Sequence, residues 1–178
     1  MLENRLLRSV KHYDIQLFCC CTLVRTRPII SRLSRYVSHT GDGYYYALLL
    51  LLLFYSRQEI DHSFYWAMFA AFTLERLIYY SLKKSFKRDR PAQAIADYQS
   101  LIEPADRFSF PSGHTSAAFL FASGLSVLFP GLTVAFYLWA GCVGISRFIL
   151  GVHFATDILM GALLGLGVGY SIFSWLGA

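Results

Sequence analysis

Charge is scarce in this chain. Only 15% of the residues are Asp, Glu, Lys or Arg, against 56% that are hydrophobic. Soluble domains carry about a quarter charged residues, so the shortfall excludes an ordinary water-facing globule. Cysteine is sparse and unpatterned. Cys19, Cys20 and Cys21 are consecutive and Cys142 sits in an apolar run, which indicates neither a disulfide framework nor a zinc site. No apolar run with a small-residue cleavage site follows the basic start, so no cleavable signal peptide is expected. Repeats and a soluble second domain are also lacking, and 178 residues suit a single domain, 1–178.

What the chain does have is apolar runs edged by basic residues. Its mean hydropathy is +0.45 and its formal charge is +5. The cations cluster beside apolar runs rather than on a polar surface. That pattern favours a lipid bilayer and anionic headgroups or a phosphorylated substrate as partners, and disfavours nucleic acid. In residues 1–40, Arg5, Arg8, Lys11, Arg25, Arg27, Arg32 and Arg35 punctuate apolar positions. The apolar stretch Leu17–Val24 is far shorter than the roughly 20 residues a spanning helix needs, so an in-plane amphipathic helix or helix pair is expected there.

Ser38–Gly43 (SHTGDG) then breaks the pattern. Five further regions read as helices. Gly43–Ser56 is Leu-rich and flanked by tyrosines, and Ser63–Leu82 is interrupted by Glu75 and Arg76. Thr115–Phe129 and Leu132–Ser146 form a hairpin about Pro130-Gly131, and Ile158–Ala178 carries Gly161, Gly165 and Gly169 at packing intervals. The expected fold is an all-α membrane protein: a bundle of about five to six transmembrane helices over 43–178 with an amphipathic N-terminal region.

Three polar islands interrupt the apolar chain, each at an expected helix end. They are Lys83–Pro91, Pro111–His114, and Ser146-Arg147 followed by His153 and Asp157. Ionisable groups at membrane depth are costly and mark function. Counting spans places all three on one membrane face. There, Lys83, Arg90 and Arg147 suit the oxygens of a phosphoryl group. Ser112-Gly113 opens a helix whose first N–H groups favour an anion, and Gly113 permits close backbone approach. Ser112 is expected to cap that helix as well. His153 and Asp157, four apart, are expected to share a helical face, the carboxylate orienting a nucleophilic imidazole. His114 is left to protonate a leaving alkoxide.

Lys83-x6-Arg90-Pro91, Pro111-Ser112-Gly113-His114 and Ser146-Arg147-x5-His153-x3-Asp157 resemble, in order and spacing, the three signature motifs of the type 2 phosphatidic acid phosphatase family. The resemblance covers roughly residues 60–175 and is to a small bacterial integral-membrane member. It implies a metal-independent lipid phosphatase without cofactors, working through a phosphohistidine. His153 would attack phosphorus, Asp157 orient it and His114 protonate the leaving group. Lys83, Arg90, Ser112, Gly113 and Arg147 would bind phosphate. Candidate substrates are undecaprenyl pyrophosphate, phosphatidylglycerol phosphate, phosphatidic acid and phosphorylated lipid A, with a small lipid phosphate or pyrophosphate preferred because no large insertion is seen.

Competing readings are a lipid phosphotransferase using the same site, a vanadate-binding haloperoxidase, which the apolar runs oppose, and a non-catalytic membrane scaffold. Lys84, Lys87 and Arg88 read as lipid-surface anchors. Glu75 and Arg76 stay outside the catalytic set, and His12, His39 and His62 read as interfacial. With five spans, the positive-inside rule would place the basic segments in the cytoplasm. Several of those cations are reserved for phosphate, however, and a sixth crossing within 12–35 would invert the N-terminus. The expectation is therefore a multi-pass protein of the bacterial inner membrane with an outward-facing site.

Overall fold

A computed structural model describes residues 2–21, 27–104 and 106–174, with side chains from Ser9 onward in the first helix. Arg25, the end of the Leu17–Val24 stretch, the last residues of the Ile158–Ala178 run and the side chains of Arg5 and Arg8 lie outside the described residues. Seven main helices are seen among the described residues: α1 (Leu2–Cys20), α2 (Pro28–Thr40), α3 (Gly43–Ser56), α4 (His62–Phe86), α5 (Gly113–Leu128), α6 (Thr133–Ile149) and α7 (Ala155–Phe173). One further turn of helix spans Pro91–Ala94, and a 3-10 turn over Pro130–Leu132 makes the hairpin between α5 and α6.

Helix ends follow local chemistry. Pro28 opens α2, where its missing N–H costs nothing. The Asp61 carboxylate accepts the Ser63 N–H at 3.0 Å and caps α4. That helix runs to Phe86, beyond Leu82 where it was expected to end. Lys83 allows this because it lies on the buried face of the last turn, paired with Asp106.

The centre of the bundle is α5 against α7, with α6, α4 and α2 around it. Gly161 and Gly165 make that contact close: a methyl group at either would meet the Ser112 or Ser116 carbonyl oxygen at 2.6 or 2.3 Å. Ala118, Ala122, Ala140 and Val143 play the same part between α5 and α6. Phe64, Met68, Leu120, Phe121 and Phe173 fill the other end of the core. The amphipathic N-terminal region is partly recruited into the bundle, since α2 packs on α6 through buried Ser34 and Ser38.

The outer surface is apolar. Leu48, Leu52, Trp66, Phe69, Leu77, Val134, Leu138, Leu159 and Leu163 are all exposed, a belt that only a non-aqueous surrounding satisfies. Two helical segments, Pro130–Ile149 and Ala155–Phe173, are long and apolar enough to cross a bilayer by those measures alone, while Gly43–Ser56 and Gly113–Leu128 are apolar but shorter. The 25-residue α4 is long enough, but it carries Glu75, Arg76, Lys83 and Lys84. The loop ends that hold the three polar islands gather at one end of the bundle.

Candidate active site

The last turn of α4 and the loop after it supply the first cationic group. Lys83 Nζ lies 2.5 Å from Asp106 Oδ2. Arg90 donates to the other oxygen of the same carboxylate, Oδ1, at 2.6 Å and to the Asp106 carbonyl at 2.9 Å. Burial opposes charge on Asp106, but the hydrogen bonds from Lys83 and Arg90 outweigh it and hold the carboxyl down at about 2. Tyr79 donates to the same oxygen that Lys83 approaches, at 2.9 Å. Lys83 thus stands behind Asp106, while Arg90 reaches forward, its Nη1 bonding the Val152 carbonyl at 2.7 Å and lying 3.5 Å from His153 Nε2.

The second group begins α5. Ser112 stands at the N-cap position, but its side chain does not cap: the hydroxyl pairs with Thr115 Oγ1 at 2.9 Å. This corrects the capping role expected of it and leaves first-turn N–H groups available to an anion. Its own N–H donates to the Asp157 carbonyl at 2.9 Å, which ties this turn to α7. At Gly113 a Cβ would lie 3.0 Å from the Tyr79 ring, so even a methyl group would have to displace that ring by a few tenths of an ångström. His114 Nε2 lies 2.9 Å from Asp42 Oδ1, and Asp42 Oδ2 lies 3.0 Å from His39 Nδ1. Burial works against charge on Asp42, yet the bonds to His39 and His114 leave its pKa below the ordinary value.

The third group joins α6 to α7. Arg147 is buried near the end of α6, donating to Ser38 of α2 at 2.6 Å. The chain then turns through Gly151, whose φ of +77° and lack of a side chain are both required: a Cβ would fall 1.7 Å from the Tyr98 hydroxyl. His153 therefore sits in the connection before α7, not on it. The expectation of a shared helical face with Asp157 is corrected accordingly. The two meet because Asp157 folds back in the first turn, where Oδ2 accepts the Phe154 N–H at 2.8 Å and lies 3.7 Å from His153 Nδ1. Burial first, then the charges of Arg90 and Arg147, push the His153 imidazole down to about 4 against the pull of Asp157, so it is neutral at ordinary pH.

A cavity of about 1000 Å³ connects these groups. Arg90, Gly113, His114, Arg147 and His153 line one end; Leu50, Leu51, Phe54, Met68, Phe69 and Phe72 line the other, between α3 and α4. Lys83, Ser112 and Asp157 stand behind this wall. Sequence reading missed Asp42, Asp106, Tyr79 and Arg88 as parts of the site. Asp42 lay in a stretch read only as a chain break, and Asp106 in a polar connection without a motif. Arg88, read as a surface anchor, instead bonds Asp157 Oδ1 at 2.8 Å and Asp14 Oδ2 at 2.6 Å. Arg76, kept out of the catalytic set, lines the cavity, paired with the buried Glu75 and 3.4 Å from the Gly113 carbonyl. No group of three His, Cys, Asp or Glu side chains that could hold a metal ion occurs among the described residues.

The family model of the PAP2 superfamily matches residues 64–178. The chain belongs to the PAP2 superfamily. Among PAP2 proteins it is 37% identical to phosphatidylglycerophosphatase B of Bacillus subtilis over 111 residues, covering 56% of this chain and 51% of the relative. It is 37% identical to a lipid A 1-phosphatase of Porphyromonas gingivalis over 91 residues, covering 49% of this chain and 18% of that one. The chain therefore spans about half, or less, of the length of these curated relatives. The crystal structure of the transmembrane PAP2 phosphatidylglycerolphosphate phosphatase from Bacillus subtilis superposes with a TM-score of 0.78 at 28% identity, over 94% of this chain and 86% of that one. The PAP2 fold and its membrane setting account for the apolar belt described above.

Proposed function

We propose that this chain hydrolyses a lipid phosphate by double displacement through a phosphohistidine on His153. The observation that carries the reading is the single cavity whose cationic end holds Arg90, Arg147, His114 and His153 and whose other end is an apolar groove between α3 and α4. An anionic headgroup with acyl tails matches that division of chemistry, which a soluble phosphate ester would not need.

His153 Nε2 is the attacking atom, because Nδ1 faces Asp157 and Nε2 faces Arg90. A P–N bond forms as the P–O bond to the lipid breaks, and His114 gives its proton to the departing alkoxide. Water then attacks phosphorus and returns a proton to His114, freeing phosphate and His153. Arg90, Arg147 and the first-turn N–H groups of α5 offset the charge on the equatorial oxygens. Lys83 acts through Asp106, the carboxylate that it shares with Arg90. The names of the relatives support phosphatidylglycerol phosphate or the 1-phosphate of lipid A as substrate classes.

The test is phosphate release by the purified protein from phosphatidylglycerol phosphate, phosphatidic acid, undecaprenyl pyrophosphate and lipid A, with EDTA present, beside His153→Ala. Release that survives EDTA and vanishes in the variant upholds the reading. Substrate consumed without free phosphate transfers the assignment to a phosphotransferase. Equal activity in wild type and His153→Ala overturns the mechanism.

A further inference from the structure

Asp157 orients His153 only if its own carboxylate is held, and Phe154 N–H holds one oxygen alone. The second oxygen, Oδ1, accepts Arg88 Nη1 at 2.8 Å, and the same nitrogen donates to Thr156 Oγ1 at 2.6 Å. The guanidinium also lies over the Phe154 ring at 4.6 Å from its centroid. Its far side is fixed by α1: Nη2 donates to Asp14 Oδ2 at 2.6 Å. Asp14 is 3% exposed and accepts the Thr156 N–H at 3.2 Å with its other oxygen, so a carboxylate from α1 caps the first turn of α7.

We propose that Arg88, held by Asp14 of α1, is a positioning residue that fixes Asp157 against His153. The inference rests on the phosphohistidine reading above. Two carboxylates share one guanidinium, so the cluster carries one net negative charge. His153 gains positive charge as it attacks phosphorus, and the cluster lies where it offsets that charge. Arg88 holds Oδ1 of Asp157 so that Oδ2 stays turned toward Nδ1, and Asp14 anchors the far side of Arg88. The N-terminal amphipathic helix thereby becomes part of the catalytic apparatus without touching the reacting atoms.

The experiment compares Arg88→Gln, Arg88→Lys and Asp14→Asn in the full chain, each also combined with Asp157→Asn, on phosphatidylglycerol phosphate in mixed micelles. Arg88→Gln is expected to lower kcat about 10- to 100-fold, the usual cost of losing a supporting partner of a catalytic group, with KM changed less than about 2-fold. Arg88→Lys recovers part of the loss, and Asp14→Asn costs less than Arg88→Gln. In the Asp157→Asn background Arg88→Gln adds less than about 2-fold, because its target is already gone. A full additive loss there, or a raised KM at unchanged kcat, overturns the proposal. A substrate-free readout separates it from the lipid phosphatase reading: the ¹⁵N signal of His153 Nδ1, in a variant with an unchanged melting temperature. If no lipid releases phosphate from the wild-type chain, the phosphatase reading fails, and this signal then decides. Movement in Arg88→Gln upholds the network; an unmoved signal overturns it.

Discussion

The proposed chemistry turns, at the residue scale, on two imidazoles that each lie beside a carboxylate. His153 faces Arg90 and Arg147 and is held neutral by burial and by those charges, its pKa lowered to about 4. In the proposed mechanism the neutral ring is the nucleophile, so its contribution is fully present above the ordinary value of 6.5 and is lost only as pH falls through about 4. The kcat/KM profile, corrected for the fraction of substrate dianion, should therefore keep its plateau through pH 5, and an acid limb near 6.5 would refute this. In the proposed mechanism His114, 2.9 Å from the Asp42 carboxylate, is the proton donor. His114→Ala is expected to cost about 10²- to 10⁴-fold with a lipid alkoxide leaving group. With p-nitrophenyl phosphate, whose phenolate needs no proton, the loss should be far smaller; equal losses on both substrates would remove His114 from the acid role.

Among the helices, the contact of α5 with α7 is what sets the distance between the two histidine-bearing segments. Gly165 faces the α5 backbone, where a Cβ would meet Ser116 O at 2.3 Å and Leu120 N at 2.9 Å. Gly167, on the same helix, has nothing within 4 Å. Gly165→Ala should destabilise the protein by about 1–3 kcal/mol through overpacking against backbone that cannot yield. Gly167→Ala should instead be neutral or gain about 0.5–1 kcal/mol by removing a helical glycine. Melting temperatures in one detergent distinguish the two, and a similar response from both would discard the packing argument. The hairpin about Pro130-Gly131 and the glycine spacing in α7 were legible in the sequence because each is a local pattern. The start of α7 was not, since nothing in the His153-to-Asp157 spacing tells a helical turn from a turn that precedes one.

The molecule as a whole joins a charged pole to an apolar groove, and the groove should select chain length. Ala47 lines it on α3. Ala47→Trp would fill part of the groove without reaching His153, so KM for a dioleoyl phosphate should rise several-fold while that for a dihexanoyl phosphate stays within about 2-fold. Equal effects on both lipids would mean that the tails lie elsewhere.

The sequence by itself determined the class of molecule and the cationic and histidine groups that meet at its candidate site. Apolar runs with few charges dictate a helical bundle in lipid, because backbone polar groups there must be satisfied within each helix. Cations and histidines at helix ends dictate an anion site, because burial without an anionic partner would be too costly. Only the tertiary structure decided which carboxylates serve those groups. Asp42, Asp106 and Asp14 occur in stretches without a motif, and each acquires its partner from a distant segment: His114, Lys83 with Arg90, and Arg88. Ion pairing of this kind depends on separations of a few ångströms between elements far apart in sequence, and chain order alone does not encode those separations locally.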